Sequence, residues 1–386
     1  MIFAYGFRTF FPLAGLSATL LVPLWLAFLF GLLEAPGYLG PIGWHAHEMV
    51  FGYALAVIAG FLLTSVAAWT GEERLHGLAL ALLAALWLAG RLAMGFADWL
   101  PGWLVALLDL AFVPALALSI LAPLWRAGKF ANTAFVVLLA LLLVANLGIH
   151  LEALGLVSLD ASRANNAAIE LVVLFVIIVG GRVTPAFTQN ALKLAMPNRA
   201  TLDRLSIGLM VALLVADALP GSMPGAETAA ALLALAAALA NGLRLAGWRG
   251  LATRASPILW ILHLGYGWIV LGLALKGLAG LGLGLSQAVA LHALTLGAVG
   301  SFTLGMMSRV ALGHTGRPLV VKPAITAAYV ALNLAVLARL ADPLLASAAG
   351  PVGSAAAGLL WTLGFLIFLL VYLPILTRPR ADGRPG

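Results

Sequence analysis

The sequence of 386 residues contains no cysteine. A chain without thiols forms no disulfides, thiolate metal sites or iron–sulfur clusters, and it cannot attach a c-type haem covalently. Any haem is therefore non-covalent, and we expect a b-type group. Any metal must be held by other side chains, of which histidine is the commonest ligand.

Charged residues are also scarce. They make up 9% of the chain, whereas 63% of the residues are hydrophobic and the mean hydropathy is +1.09. A soluble protein needs more polar surface than this composition supplies. The apolar runs recur along the whole length, so we predict that residues 1–386 form a single all-α, polytopic membrane domain.

Twelve apolar runs are long enough to cross a bilayer, because about 20 apolar residues span the hydrocarbon core as a helix. Their connections are short and rich in glycine and proline. We number them segments 1 to 12, with approximate limits 11–33, 46–68, 76–97, 102–124, 131–155, 164–186, 202–219, 226–247, 256–276, 287–309, 318–341 and 354–376.

The net charge of +7 is explained by where the cations lie. Of the 21 Lys and Arg residues, 17 fall on the side of the membrane that would hold both termini. The other side holds four, namely Arg91, Arg163, Lys276 and Arg339. The positive-inside rule therefore predicts that both termini are cytoplasmic. The basic charge gives no support to nucleic-acid binding.

With this topology, four of the seven histidines lie toward the outer leaflet: His45, His47, His150 and His292. Ionisable side chains inside a membrane are costly and are functional candidates for that reason. Segments 2 and 10 also align without gaps, so that His47 matches His292 and Gly52 matches Gly297. The end of segment 6 fits the same register.

This alignment predicts three four-helix units, near residues 1–128, 129–252 and 253–380. It places His47 and His292 at one depth, which favours haem ligation by the two imidazoles. Gly52 and Gly297 would then let a flat macrocycle lie against the backbone. The alternative is that these glycines serve ordinary helix–helix contact.

Further candidates complete the predicted site. The metal-ligand candidates are His45, His47, His150, His263 and His292. Imidazole suits copper, iron and zinc alike, so the spacing does not choose among them. Candidates for supporting the site or carrying protons are Glu48, Glu152, Glu170, Tyr266, Arg182 and Arg309.

Several of these candidates also have a structural interpretation. His263 would be a packed, hydrogen-bonded histidine, and Glu170 would pair with Arg91 or Arg163. Arg182 and Arg309 would extend toward the membrane surface. No nucleotide-binding loop, nucleophile elbow or zincin motif is present, and catalytic residues stay unknown.

Several motifs resemble the NnrS family. They are WHAHEMVFG at 44–52, AGFLLT at 59–64, WTG at 69–71, GGRVTPAFT at 180–188, HALTLG at 292–297, MMSRV at 306–310 and GHTGR at 313–317. The resemblance implies a bacterial inner-membrane protein of twelve helices that is associated with haem and copper. It also implies a role in nitric oxide metabolism, in protection against nitrosative stress and beside denitrification.

The arrangement is similar, more distantly, to the catalytic subunits of haem–copper oxidases, in which histidines of helices 2 and 10 hold a haem. Segments 6 and 7 of this chain carry no histidine and segment 10 has only one. An oxidase-type binuclear centre is therefore incomplete, and whether the protein is an enzyme stays open.

The leading hypothesis is a haem-binding protein that handles nitric oxide or nitrosylated iron, with haem near the outer leaflet between segments 2 and 10. The alternative is a membrane transporter or copper-trafficking protein that uses the membrane histidines. A third hypothesis is a sensor or assembly factor for a respiratory complex. The expected surroundings are membrane lipid and an electron donor of unknown identity.

Overall fold

The computed structural model describes residues 1–158, 161–193, 195–197, 199–219, 223–349 and 352–384, without the side chains of 161 and 343–349. Every regular element in these residues is a helix. The long helices are α1 Gly6–Leu29, α2 Gly40–Thr70, α3 Gly77–Gly95, α4 Gly102–Arg126, α5 Phe130–Ala153, α6 Ala161–Leu192, α7 Ala200–Ala218, α8 Ala226–Ala246, α9 Pro257–Gly280, α10 Gln287–His314, α11 Pro323–Ala349 and α12 Val352–Thr377.

Eleven helices in the described residues are long and apolar enough to cross a membrane. The protein is therefore an all-helical, multi-pass membrane protein, as the composition predicts. Helix α7 is the exception, because Asp203, Arg204 and Asp217 interrupt its apolar sequence. Twelve crossings and cytoplasmic termini stay predictions.

Burial differs strongly among the helices. In α2 and α6, 83% of the most apolar stretch is buried, and in α10 the value is 72%, whereas it lies between 33% and 61% in the other candidate spans. A helix screened from lipid on most sides can carry polar groups that a lipid-facing helix cannot. These three helices are four apart in sequence, which is the spacing of the predicted repeat. The repeat itself stays a prediction.

The chain divides into two compact units. The first consists of described residues within 1–171, 310–318 and 365–386. In it α1 packs on α2, α3 on α4, and α4 on α5. Glycines allow the close approach: a Cβ at Gly60 would lie 2.8 Å from the ring of Phe11 on α1. Small residues at such contacts are typical of membrane helices.

The second unit consists of described residues within 172–309 and 319–364. Helix α8 packs against both α7 and α9, and α9 packs against α10. Here Gly305 of α10 makes a contact like that of Gly60, because its Cβ would lie 2.7 Å from Ile261 on α9. Gly60 and Gly305 match in the alignment of segments 2 and 10, since each lies 13 residues after its histidine. Both thus receive a side chain of the preceding helix of their own unit, α1 or α9.

Helices α2 and α10 share an unusual backbone. Each is α-helical up to its histidine, His47 or His292, and then continues as a π-helix, over Glu48–Ala54 in α2 and over Ala293–Gly300 in α10. π-Helical turns are rare and occur often at functional sites. No such stretch occurs in the described residues of α6, where Asn165 takes the position of the histidine.

A buried guanidinium holds the second unit together. Arg244 on α8 donates to Asp203 Oδ1 at 2.5 Å, to Tyr266 Oη at 2.7 Å and to Ile177 O at 3.1 Å. Tyr266 Oη in turn donates to Asn241 Oδ1 at 2.5 Å. The guanidinium lies against the backbone of α6 at Gly181, where a Cβ would meet Nη2. Only glycine leaves room for this cation.

We expect Gly181→Ala to destabilise the protein. The new methyl group must displace Arg244 from its partners, which costs about 3 kcal/mol, the scale of overpacking a core and disturbing a buried ion pair. The matched control is Gly208→Ala, since nothing lies within 4 Å of a Cβ at Gly208. Thermal unfolding of the detergent-solubilised protein, followed by tryptophan fluorescence, measures both. Equal melting temperatures for the two variants would contradict this account.

Candidate metal centre

Buried polar side chains from four consecutive helices meet inside the first unit. Helix α2 supplies two of them, α3 and α4 one each, and α5 two, and the loop before α2 adds a tyrosine hydroxyl. The residues are His47, Glu48, Arg91, Asp109, Asn146, His150 and Tyr38. Such a group is expensive inside an apolar chain unless its members satisfy one another.

Asp109 is the centre of this cluster and is 2% exposed. Its Oδ2 accepts from Asn146 Nδ2 at 2.6 Å, and it lies 3.0 Å from His150 Nε2 and 3.2 Å from His47 Nε2. Its Oδ1 pairs with Arg91 Nη2. One carboxylate in the middle of the apolar helix α4 therefore connects α3 and α5 with α2.

Glycines make this geometry accessible. A Cβ at Gly90 on α3 would lie 3.1 Å from Asp109 Cα, so α3 and α4 can approach closely only where that side chain is missing. A Cβ at Gly52 on α2 would lie 3.1 Å from Glu48 Oε2 and 3.3 Å from Arg91 Cδ. The space beside Gly52 is thus filled by the ion pair of the cluster.

The hydrogen bonds of His47 fix the state of its ring. Glu48 Oε1 lies 3.1 Å from Nδ1 and also accepts from Arg91 Nη1 at 2.5 Å. A carboxylate only accepts, so Nδ1 carries a proton and a neutral ring has its lone pair on Nε2. Nε2, however, faces two more acceptors, Asn146 Oδ1 at 2.9 Å and Asp109 Oδ2.

Rotating the Asn146 amide does not remove this conflict, because its oxygen would then face Asp109 Oδ2. With both carboxylates ionised, a cation stands at Nε2, either as a proton, which makes an imidazolium, or as a metal ion. The charges agree with this count. Two ionised carboxylates, Glu48 and Asp109, against one guanidinium, Arg91, with neutral histidines leave the buried cluster one positive charge short.

The residues present fit a metal ion. His47, Asp109 and His150 are all buried, and one ligand atom of each lies within 4.8 Å of the other two. Two imidazoles and a carboxylate suit zinc, copper and iron. Ligand–metal distances of about 2.0–2.2 Å put tetrahedral ligands about 3.3 Å apart, close to the spacing around Asp109 Oδ2. Three protein ligands would leave a fourth position open.

The neighbours of the two imidazoles are those expected of metal ligands. Each ring has a partner for its other nitrogen: Glu48 for His47 Nδ1, and Tyr38 Oη, at 3.0 Å, for His150 Nδ1. Such partners fix the tautomer and the orientation of a ligating imidazole. Burial raises the pKa of Tyr38 to about 12. Its hydroxyl thus keeps its proton at neutral pH and can either donate to or accept from His150.

The other predicted site residues of the first unit lie outside this cluster. The ring of His45 stacks on Trp25, with centroids 4.3 Å apart. Glu152 is at the end of α5, and its Oε2 is buried without a hydrogen-bond partner. Glu170 is buried on α6. The suggested pairing of Glu170 with Arg91 is wrong, because Arg91 is engaged by Glu48 and Asp109.

The remaining predicted residues belong to the second unit. His263 Nε2 donates to Thr188 Oγ1 at 2.9 Å, since that hydroxyl already donates to Thr184 O. Arg309 lies over the ring of Phe187, 3.8 Å from its centroid. Tyr266 belongs to the cluster around Arg244, and Arg182 is exposed.

His292, also in the second unit, donates from Nδ1 to Ala288 O of its own helix at 2.7 Å. A carbonyl only accepts, so the lone pair of the neutral ring lies on Nε2. The space beside Gly297 is taken by Trp268, whose ring would be 2.8 Å from a Cβ there. The joint role of His47 and His292 stays a prediction.

Four members of the cluster are absent from the predicted site: Asp109, Asn146, Tyr38 and, as a site residue, Arg91. Two of them could have been predicted from the sequence, because Asp109 and Arg91 are charged residues within apolar segments. The rule that flags Glu170 as costly in a membrane applies to both. Asn146 and Tyr38 carry no comparable signal.

The sequence profile of a family described as "NnrS protein" matches residues 1–380. The chain belongs to the NnrS family. No curated protein matches it. The match covers nearly the whole chain and includes both the cluster around Asp109 and His292.

We expect Arg91→Met to be strongly destabilising, because it leaves Glu48 and Asp109 buried without their guanidinium. Breaking a buried ion pair in this way costs about 3–5 kcal/mol. The double variant Arg91→Met/Asp109→Asn should recover part of that loss, since the two residues are directly coupled. Thermal unfolding in detergent provides the measurement.

The control for this cycle is Arg126→Met. Arg126 pairs with Glu72 at 2.7 Å, but its side chain is 60% exposed, and such exposed pairs contribute little to stability. If Arg91→Met is no more harmful than Arg126→Met, the cluster does not stabilise the first unit.

Proposed function

We propose that this protein is a metal-holding, inner-membrane NnrS protein that acts in nitric oxide metabolism or in protection against nitrosative stress. The observation that carries the proposal is the cluster of His47, Asp109 and His150, which lacks one positive charge. Membership of the NnrS family supports the connection with nitric oxide. We propose copper as the metal, because imidazole-rich sites favour it among the divalent ions of the first transition row.

Each side chain of the cluster would have a separate role in such a metal centre. Asp109 supplies negative charge, His47 and His150 supply neutral nitrogen ligands, and Glu48 and Tyr38 hold both rings in place. A bound copper ion would supply one-electron chemistry and an open position that a small diatomic molecule can occupy. The surrounding apolar helices exclude water, which suits a neutral, membrane-soluble ligand such as nitric oxide.

We also propose a b-type haem, with His292 as an axial ligand. Support comes from the ring of His292, whose Nδ1–H···O=C bond leaves Nε2 as the ligating nitrogen. For His47 the two roles compete, because the nitrogen that would ligate haem is the one that faces Asp109. If His47 serves the metal ion, His292 alone of the predicted pair would hold the haem.

Copper trafficking is the alternative function, and the same cluster favours it in one respect. A site that lacks a single positive charge can exchange a proton for a cuprous ion without a change in net charge. The two functions differ in what happens to the metal. Trafficking requires that purified protein in vesicles releases copper to the other side, whereas a resident centre retains it.

We expect the purified protein to contain about one metal ion per chain that depends on the cluster. Asp109→Asn and His150→Gln should each lose most of it, by analogy with the 10- to 100-fold losses seen even for residues that only orient ligands. His45→Gln is the matched control, because its ring stacks on Trp25 instead. Elemental analysis after exposure to copper and desalting gives the count.

The same variants connect the centre with function. Cells that lack the gene should regain tolerance to a nitric oxide donor from the wild type and from His45→Gln, but not from Asp109→Asn. An unchanged metal content in both cluster variants would refute the metal centre. Loss of metal without loss of tolerance would refute its role in nitric oxide metabolism.

Optical spectra test the haem. We expect a Soret band in the wild type that His292→Ala diminishes. If His47 serves the metal ion, His47→Ala leaves the band in place and lowers only the metal content. If His47 and His292 together ligate a haem, both variants lose the band. His263→Ala should keep it, since Nε2 of that ring is bonded to Thr188.

A further inference from the structure

A second buried cation lies in the first unit, away from the metal-centre cluster, at the start of α1. Arg8 has no exposed surface. Its Nη1 donates to Leu376 O at 2.6 Å and to Arg378 O at 2.8 Å, so this end of the guanidinium binds the last carbonyls of α12. A cation at a helix carboxyl end is favourable, because the carbonyls there are otherwise unpaired.

The opposite edge of this guanidinium has no partner. Both Nε and Nη2 of Arg8 are buried and make no hydrogen bond, and among the described residues no carboxylate pairs with Arg8. Nε–H and Nη2–H point the same way and form the fork that binds planar or tetrahedral oxyanions through two hydrogen bonds. Leaving such donors buried and unpaired costs several kcal/mol on the general scale for charged groups.

Further arginines act on Arg8, and one of them is paired with an acid. The charges of Arg317 and Arg380 act on Arg8. Arg380 holds both oxygens of Asp382, at 2.9 and 2.6 Å, and these bonds lower the pKa of Asp382 to about 2. Asp382 therefore neutralises Arg380, and within the described part of the chain no carboxylate pairs with Arg8 or Arg317.

The backbone holds this arrangement in place. Arg380 Nη1 donates to His314 O at 2.9 Å, and Ala381 N donates to Thr315 O at 3.0 Å. Gly316 has a φ of +69°, and Asp382 packs where its side chain would be. The tail after α12 is thus fixed across the loop after α10, close to Arg8.

We propose that Arg8 and Arg317 form a binding site for a phosphate group, with Arg8 Nε and Nη2 as the bidentate donors. Two uncompensated positive charges match a phosphate better than a monovalent anion. Met1, Ile2 and Phe3 are exposed, and Ile2 O accepts from Thr9 Oγ1, next to Arg8 in the chain, so these side chains are suited to contact with acyl chains. The phosphate is therefore that of an anionic lipid headgroup or, as the other source, inorganic phosphate.

The test is thermal unfolding of the full-length protein in detergent with two probes. Phosphatidylglycerol is compared with phosphatidylcholine, and inorganic phosphate with chloride at equal ionic strength. We expect one probe to raise the melting temperature of the wild type by several degrees over its control. Stabilisation by phosphatidylglycerol alone identifies a lipid headgroup as the source, and stabilisation by inorganic phosphate identifies the free anion.

Two variants keep the proposal falsifiable. Arg8→Lys retains the charge but loses the bidentate fork, and Arg317→Gln retains the contacts of Arg8 with α12. Both should weaken the apparent affinity for the stabilising probe at least tenfold, whereas Arg126→Gln, at an exposed ion pair, should not. If neither probe stabilises the wild type, the free edge of Arg8 is satisfied by water alone and the proposal fails. Equal stabilisation of Arg317→Gln and the wild type would also overturn it.

Discussion

The carboxylate of Asp109 is the constraint on which the first unit depends. An ionised carboxylate in an apolar helix requires compensation from its neighbours, because no water is available to solvate it. Arg91 supplies the charge, and Asn146 and His150 supply hydrogen bonds. Each partner comes from a helix adjacent to α4, so satisfying one carboxylate also fixes how α3 and α5 pack. Burial of this one charge therefore helps to determine how the neighbouring helices pack.

The second unit also buries an ionisable group, but this group is positively charged. There the buried group is the guanidinium of Arg244, and α7, α8 and α9 provide a carboxylate, an amide and a phenol around it. Glycine is part of both solutions, at Gly90 for Asp109 and at Gly181 for Arg244. In both units a missing side chain on one helix makes room for a charge on its neighbour. Glycines that look like simple packing residues therefore set where ionisable groups can lie.

The sequence predicts the class of fold well and the site only in part. Hydropathy locates all twelve long helices, because length and apolar composition are local properties. His47, Glu48 and His150 are identified for a general reason, namely that ionisable groups in membranes are costly. Asp109, the partner of both His47 and His150, is not, since the register of helices α2 to α5 decides which side chains meet. No periodicity along a single helix contains that information, and the need for a cation at His47 Nε2 follows only from the positions of three acceptors.

A π-helical stretch directly follows a histidine in both α2 and α10. A π turn contains one residue more than an α turn, so it rotates every following side chain relative to those before it. In α2 the π segment begins at Glu48, directly after His47, and in α10 it begins directly after His292. The two rings nevertheless differ in what they can bind. Nε2 of His47 faces Asp109, whereas Nε2 of His292 carries a lone pair fixed by the bond to its own helix. The same kind of π-helical turn therefore follows two histidines whose rings have different hydrogen-bond partners, so the two imidazoles are not chemically equivalent.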